Sequence, residues 1–116
     1  MTEVVNLNQN ITLNHSNEID PTTIISGSPN ERLASLFNIP AGGELEVGIW
    51  ESDAYEEQID NYPVNEIMVV LSGGATMISA SGVKTDLKPG DTVYLPKGWS
   101  GKWIQTETIR KITLVV

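Results

Sequence analysis

Residues 90–101 read Gly90-Asp91-Thr92-Val93-Tyr94-Leu95-Pro96-Lys97-Gly98-Trp99-Ser100-Gly101. Two breaks bracket a short strand in this stretch. Lys88-Pro89-Gly90-Asp91 places Pro and Gly at the central positions of a turn, the type II preference. The β-prone run 92–95 follows, and Pro96-Lys97-Gly98 interrupts it before a second strand over 99–105. The spacing is Gly, five residues, Pro, one residue, Gly, two residues, and then Gly101.

Working outward, further strand-like runs recur at the spacing of roughly 8–12 residues expected of an all-β sandwich or barrel. The 44–51 run alternates around Leu45, Val47 and Ile49 and ends near Trp50. The 66–71 run is almost wholly apolar, the pattern of a strand buried on both faces. Ser72-Gly73-Gly74 then supplies the positive-φ residues of a tight hairpin. Runs 75–80 and 83–87 are separated by Ser81-Gly82, and 108–116 closes the series with β-branched residues. In the N-terminal third, Ser28-Pro29-Asn30-Glu31 has the form of a helical capping box, but the apolar run after it is short and stops at Pro40. Residues 1–27 are expected to form an added edge strand or an arm across a partner subunit. With no repeat or low-complexity segment, 1–116 reads as a single domain.

Two spacings together resemble the cupin barrels. The second cupin signature is the 90–101 pattern with histidine in the last place, where this chain has Gly101. The first is His-x-His, three or four residues, Glu, six residues, Gly. Glu66, six residues and Gly73 (EIMVVLSG) fit its second half. Asp60 and Tyr62 stand at the histidine positions at the shorter spacing, Ile59 and Asn61 at the longer. The stretch 45–112 is similar to the small cupins grouped around ureidoglycine aminohydrolase and the ethanolamine-utilisation cupins. The likeness lies in GIW at 48–50, YPVNE at 62–66, GD at 90–91, LPKGW at 95–99, GKW at 101–103 and RK at 110–111. It implies an all-β, RmlC-like jelly-roll (double-stranded β-helix), a strand over 33–39, and a cavity into which both signatures point. It also implies pairing through sheet edges as a homodimer, which would cover open edge strands. The aminohydrolase activity of that group is metal-dependent, and its metal-binding histidines are missing here.

Composition narrows the partners. At 116 residues and 40% hydrophobic content, the chain can bury one core. No run approaches the ~20 apolar residues of a membrane span, and the N-terminus lacks the basic and apolar segments of a secretory signal. Cysteine is absent, which removes disulfides and thiolate metal sites and fits a cytoplasmic location. Fifteen acidic against seven basic residues give a net charge of −8, a surface that repels nucleic-acid phosphates.

The candidate site follows from the two signatures. A transition metal needs about three or four ligands, typically imidazoles with a carboxylate. The one histidine, His15, lies in LNHSNE, far from both signatures, and reads as a surface imidazole. Asp60, Tyr62 and Glu66 remain as an oxygen set for a hard cation, to which Gly101 adds only a carbonyl. The expectation is therefore no metal and no cofactor, with those three residues as the fallback. Glu66 shares a strand face with Met68 and Val70, where burial tends to raise a carboxyl pKa; Glu66 and Tyr62 are the acid/base candidates. Period two also puts Gly101, Trp103 and Gln105 on one face. Asp60, Trp99, Trp103 and Gln105 are the candidate ligand contacts, Trp99 at the rim. Lys97, Arg110 and Lys111 read as surface charges or ion-pair partners. No phosphate loop, nucleophile elbow or Ser/His/Asp set is present. The expected function is metal-free binding of a small polar metabolite. The alternatives are an enzyme using Glu66 and Tyr62 on a nitrogenous, ureido or sugar-derived metabolite, and a non-catalytic subunit with a filled interior.

Overall fold

A computed structural model describes residues 4, 6, 7, 11–38 and 45–116. The predicted strand ends at Ile39 and Glu44, Pro40 between them, and residues 1–3, 5 and 8–10 of the predicted N-terminal arm lie outside these residues. Among the described residues the chain is almost entirely β. The strands are β1 (Asn14–His15), β2 (Ile24–Gly27), β3 (Arg32–Asn38), β4 (Glu46–Ser52), β5 (Tyr55–Ile59) and β6 (Glu66–Ser72). They continue with β7 (Ala75–Ser79), β8 (Lys84–Leu87), β9 (Thr92–Leu95), β10 (Gly101–Gln105) and β11 (Ile109–Val115). One turn of 3-10 helix, Pro21–Thr23, precedes β2; the Asp20 side chain caps it by accepting from Thr22 N. Among the described residues, no helix is long and apolar enough to cross a membrane.

Two antiparallel sheets face each other, ordered β1-β3-β4-β11-β6-β9 and β2-β5-β10-β7-β8. The all-β jelly-roll expected from the sequence is the architecture found. Trp50, Met68 and Ile109 of the first sheet and Tyr55, Met77 and Trp103 of the second meet in one core cluster. A fully buried side chain such as Met68 or Val70 contributes about 1.5–3 kcal/mol relative to exposure. On the opposite face of the first sheet, Glu51 accepts from Arg32 at 2.7 Å and from Arg110 at 3.2 Å.

The strand reading holds at β3, and two other local outcomes differ from expectation. Ser28-Pro29-Asn30-Glu31 starts no helix: Asn30 has φ +45° and Glu31 leads directly into β3, as the strand reading required. Ser72-Gly73-Gly74 is not a hairpin. It carries the chain from β6 in one sheet to β7 in the other, and the two strands do not pair with each other. Gly73 has φ +72°, and a Cβ there would run into the Thr108 carbonyl, which explains the glycine of the Glu66–Gly73 spacing. β5 was not anticipated at all. By contrast the β7–β8 hairpin at Ser81-Gly82 forms as expected, with Gly82 N donating to Ser79 O at 2.8 Å. The turn at 88–91 closes through Asp91 N to Lys88 O at 3.0 Å, with Gly90 at φ +92°.

Candidate functional site: a cavity built around Lys111

A cavity of about 530 Å³ opens between the sheets. Period-two alternation selects what lines it: Trp50 from β4, Tyr55, Glu57 and Ile59 from β5, Glu66 and Met68 from β6, Trp103 from β10, and Lys111, Thr113 and Val115 from β11. The 3-10 turn, through Thr23, and Glu31 at the head of β3 complete the wall.

Lys111 is the residue sequence reasoning passed over. Adjacent to Arg110 it reads as surface charge, yet it keeps step with the fully buried Ile109 and turns inward. β11 pairs with β6 through a register shift, Arg110 opposite Ser72 but Lys111 opposite Val70, so Leu71 is an extra, bulged residue beside it. The Lys111 Nζ donates to Glu66 Oε2 at 3.1 Å and touches Met68 Sδ at 3.0 Å. It also sits 4.7 Å from the Trp50 ring centroid and 5.2 Å from that of Trp103. The two indoles meet edge to face, with centroids 6.4 Å apart. Two ring faces and a carboxylate thus hold the ammonium charge in a largely dehydrated place.

Each oxygen of the Glu66 carboxylate has a partner. Its Oε1 accepts from the Tyr62 hydroxyl at 2.6 Å, and its Oε2 from Lys111. Burial pushes the Tyr62 phenol well above its usual pKa, and the negative charge of Glu66 adds to the effect. Tyr62 is fixed in turn by backbone pairing of its own N–H with Trp99 O at 2.8 Å and of its carbonyl with Gly98 N at 2.7 Å.

Two further carboxylates lie on the other side of the cavity, and neither was singled out from the sequence. Glu31, only 4% exposed, accepts from Trp50 Nε1 and from Ile19 N, both at 2.9 Å. Glu57 accepts from the Tyr55 hydroxyl at 3.3 Å and the Thr23 hydroxyl at 3.1 Å. Desolvation raises the Glu57 carboxyl pKa above its ordinary value, against the lowering effect of those two hydroxyls. Burial likewise pushes the Tyr55 phenol up, with Glu57 and Glu31 adding repulsion.

The candidates named from the sequence divide into two groups. Tyr62, Glu66, Trp103 and Asp60 line the cavity, Asp60 as an exposed rim residue. Trp99 and Gln105 do not line it. Gln105 is buried, but its amide is consumed in closing the β4–β5 and β10–β11 turns. Its Nε2 donates to the carbonyls of Ser52, Asp53 and Glu107, and its Oε1 accepts from Trp103 Nε1. Trp99 lines a separate cleft of about 280 Å³ with Tyr94 and Val83. Its ring also occupies the space beside Gly101. A Cβ on residue 101 would lie 2.6 Å from Trp99 Cη2 and would collide with the Ile78 carbonyl. It is Trp99, not Trp103, that takes the room of a side chain at that position. His15 is exposed in β1.

A transition metal does not fit this donor set. The place of the last histidine cannot carry a side chain, and Glu66 is already paired with an ammonium. Among the described residues, no three His, Cys, Asp or Glu side chains are grouped to hold an ion; in the fallback set of Asp60, Tyr62 and Glu66, the Tyr62 hydroxyl and the Lys111 ammonium already stand on the two Glu66 oxygens.

Paired antiparallel sheets, a cavity between them, and the two spacings that frame it define a cupin barrel. Residues 40–112 match the EutQ-like cupin domain, and the chain belongs to that family. Among solved structures it is similar to a protein of unknown function from Pseudomonas syringae pv. tomato, at 30% identity and a TM-score of 0.85. That match covers 91% of this chain but 45% of the other, so this chain spans less than half of its relative's length. The fold is also shared with a putative ethanolamine utilization protein Q from Salmonella typhimurium (22% identity, TM-score 0.63, covering 74% of this chain and 68% of that one). The Clostridium difficile EutQ protein is comparable, at 22% identity, a TM-score of 0.64, and coverage of 76% and 63%. A comparison with curated proteins found no significant match.

Proposed function

We propose that this cupin binds a small polar molecule in its barrel without a metal, the Lys111 ammonium standing as the fixed positive charge of the site. The observation that carries this reading is the 3.1 Å contact between Lys111 Nζ and Glu66 Oε2 inside a 530 Å³ cavity. Glu66 is the one metal-ligand position of the two signatures that this chain retains, and it is bound to a side chain instead. A volume of this size falls in the range of roughly 300–1,000 Å³ common for small-ligand pockets, with aromatic walls and a few convergent polar groups. That leaves room for a ligand, which a subunit with a filled interior would lack.

The enzymatic alternative through Glu66 and Tyr62 has less support. Glu66 is paired with an ammonium, and the Tyr62 phenol is held in its neutral form. An acid/base role falls better to Glu57, whose raised carboxyl pKa is the property such a role needs.

Elemental analysis of protein purified without chelator or nickel affinity resin tests the reading. The expected result is no stoichiometric transition metal and thermal stability indifferent to chelator. Near-stoichiometric metal would overturn it. Glu66→Gln separates binder from enzyme: a binder retains part of its ligand affinity, whereas an enzyme working through Glu66 loses most turnover.

A further inference from the structure

The cavity has a pronounced charge imbalance. Three carboxylates, Glu31, Glu57 and Glu66, stand inside it, and four more, Glu18, Asp20, Glu46 and Asp60, are exposed around it. Against these seven stands one cation, Lys111. That ammonium is paired with Glu66; among the described residues neither Glu31 nor Glu57 forms a salt bridge, and Lys111 acts on Glu57 only through its field.

Uncompensated carboxylates in a half-dry cavity are costly, and the usual relief is a partner of opposite charge or a proton. Glu31 is nine-tenths or more buried and receives only two neutral N–H donors. Glu57 receives only two hydroxyls. Each carboxylate has about four acceptor positions, so both retain capacity for further donors. The surrounding walls, Trp50, Tyr55 and Trp103, are aromatic, a surface that favours organic cations over hydrated inorganic ones.

Resting on the binding reading above, we propose that the ligand of this cavity is a small organic cation, a primary ammonium or guanidinium group received by the Glu31 and Glu57 carboxylates against the aromatic wall. Lys111 then has a second role. By neutralising Glu66 it leaves two carboxylates, rather than three, to be matched, and it denies the cation a seat at the Glu66 end. The charged and titratable groups facing Glu57 are Tyr55 on its own strand, Glu31 just ahead of β3, Tyr62 from the 60–65 loop and Lys111 from β11. Among these only Lys111 opposes protonation of Glu57 by its charge. A bound cation adds to that effect, so binding expels a proton wherever Glu57 is protonated in the free protein, and affinity rises with pH across that titration.

Three probes of one shape and different charge test this: propylamine hydrochloride, propanol and sodium propionate, titrated at constant ionic strength. The readout is the three indole N–H signals of isotope-labelled protein. Trp50 donates to Glu31, while Trp99, outside the cavity, serves as an internal control. The expected result is a saturable shift of Trp50 with propylammonium alone, with Trp99 unmoved and a Kd of about 1–10 mM for so small a fragment. Glu57→Gln should weaken it about tenfold and remove its pH dependence; Glu107→Gln, exposed and outside the cavity, should change it less than twofold. If Glu31→Gln fails to fold, the Glu57→Gln result stands by itself. Binding of propanol or propionate in preference would overturn the cation assignment and leave the cavity reading intact. No saturable shift with any probe up to about 100 mM would overturn both. Ammonium binding that Glu57→Gln leaves unchanged would also overturn the assignment.

Discussion

Lys111 Nζ and Glu66 Oε2 lie 3.1 Å apart, with only 10% and 7% of their side chains open to solvent. A buried pair of this kind adds little stability over an apolar pair of the same shape, because both charges were dehydrated to make it. Removing one partner is different, since the other charge is left behind. Lys111→Met should destabilise the fold by about 3–5 kcal/mol, toward the low end because Tyr62 still donates to Glu66. The double variant Lys111→Met/Glu66→Leu should be less destabilised than the two single changes summed, by at least about 1 kcal/mol. Urea unfolding of all three variants measures the coupling, and strict additivity would refute it.

Restoring the missing histidine should not restore a metal site. Gly101→His drives a Cβ against the Ile78 carbonyl and the Trp99 ring, so the expected outcome is a loss of about 2 kcal/mol or more with no gain in zinc or nickel affinity. Isothermal titration with either metal, beside a melting curve, checks both halves. Tight metal binding by the variant would mean that Trp99 is not a fixed part of the barrel.

Gly73→Ala should cost about 1–3 kcal/mol, because the residue sits at φ +72° and its new methyl meets the Thr108 carbonyl. Chemical denaturation measures it. Gly82, also at positive φ but facing open space, is the control and should lose less on the same substitution.

The pH dependence of stability has a worked sign. Glu57 has a folded pKa raised by desolvation, so its protonated form favours the fold and that contribution fades as pH rises through the folded value. Glu57→Gln should therefore gain on the parent protein as pH climbs from acid to neutral. The gain is about 1 kcal/mol at most, because the group is partly open to water. Asp20 and Asp53 act oppositely: a backbone hydrogen bond from Thr22 lowers the first and Arg32 the second, so their contributions disappear as pH falls below the usual carboxylate range. Melting temperatures at pH 4 to 8 for parent and variant read this directly. A difference that shrinks with rising pH would contradict it.

Light scattering at micromolar concentration is expected to give a dimer. Among the described strands β1, β9, β2 and β8 stand at open sheet ends, and pairing would satisfy their exposed backbone groups. A monomer would count against it.

Most of the barrel could be read from the chain because Gly and Pro mark its turns and period two marks its inner faces. Glu66 with Met68 and Val70, and Gly101 with Trp103 and Gln105, are buried together as that period requires. The reading failed where the cavity is. β5 is Tyr55-Glu56-Glu57-Gln58-Ile59, and since Glu57 faces inward the apolar–polar alternation that announces a strand is missing. Glu31 was disguised as part of a helix start, and Lys111 as half of a basic pair. In each case a polar residue occupies an inner-face position, and chain pattern alone cannot tell this from a solvent face. The alternation Ile109, Lys111, Thr113, Val115 did contain the signal, had Lys111 been weighed by its position rather than its charge.

A metal centre is borrowed from the surroundings: it must be captured, it can be lost to a chelator, and the wrong ion can take its place. The ammonium between Trp50 and Trp103 is synthesised with the backbone and remains tethered to it. Under the proposed metal-free reading, the charge of such a barrel is in place as soon as the chain folds. Its centre is a tethered ammonium beside a carboxylate, a group placed to attract, repel and orient what enters the cavity.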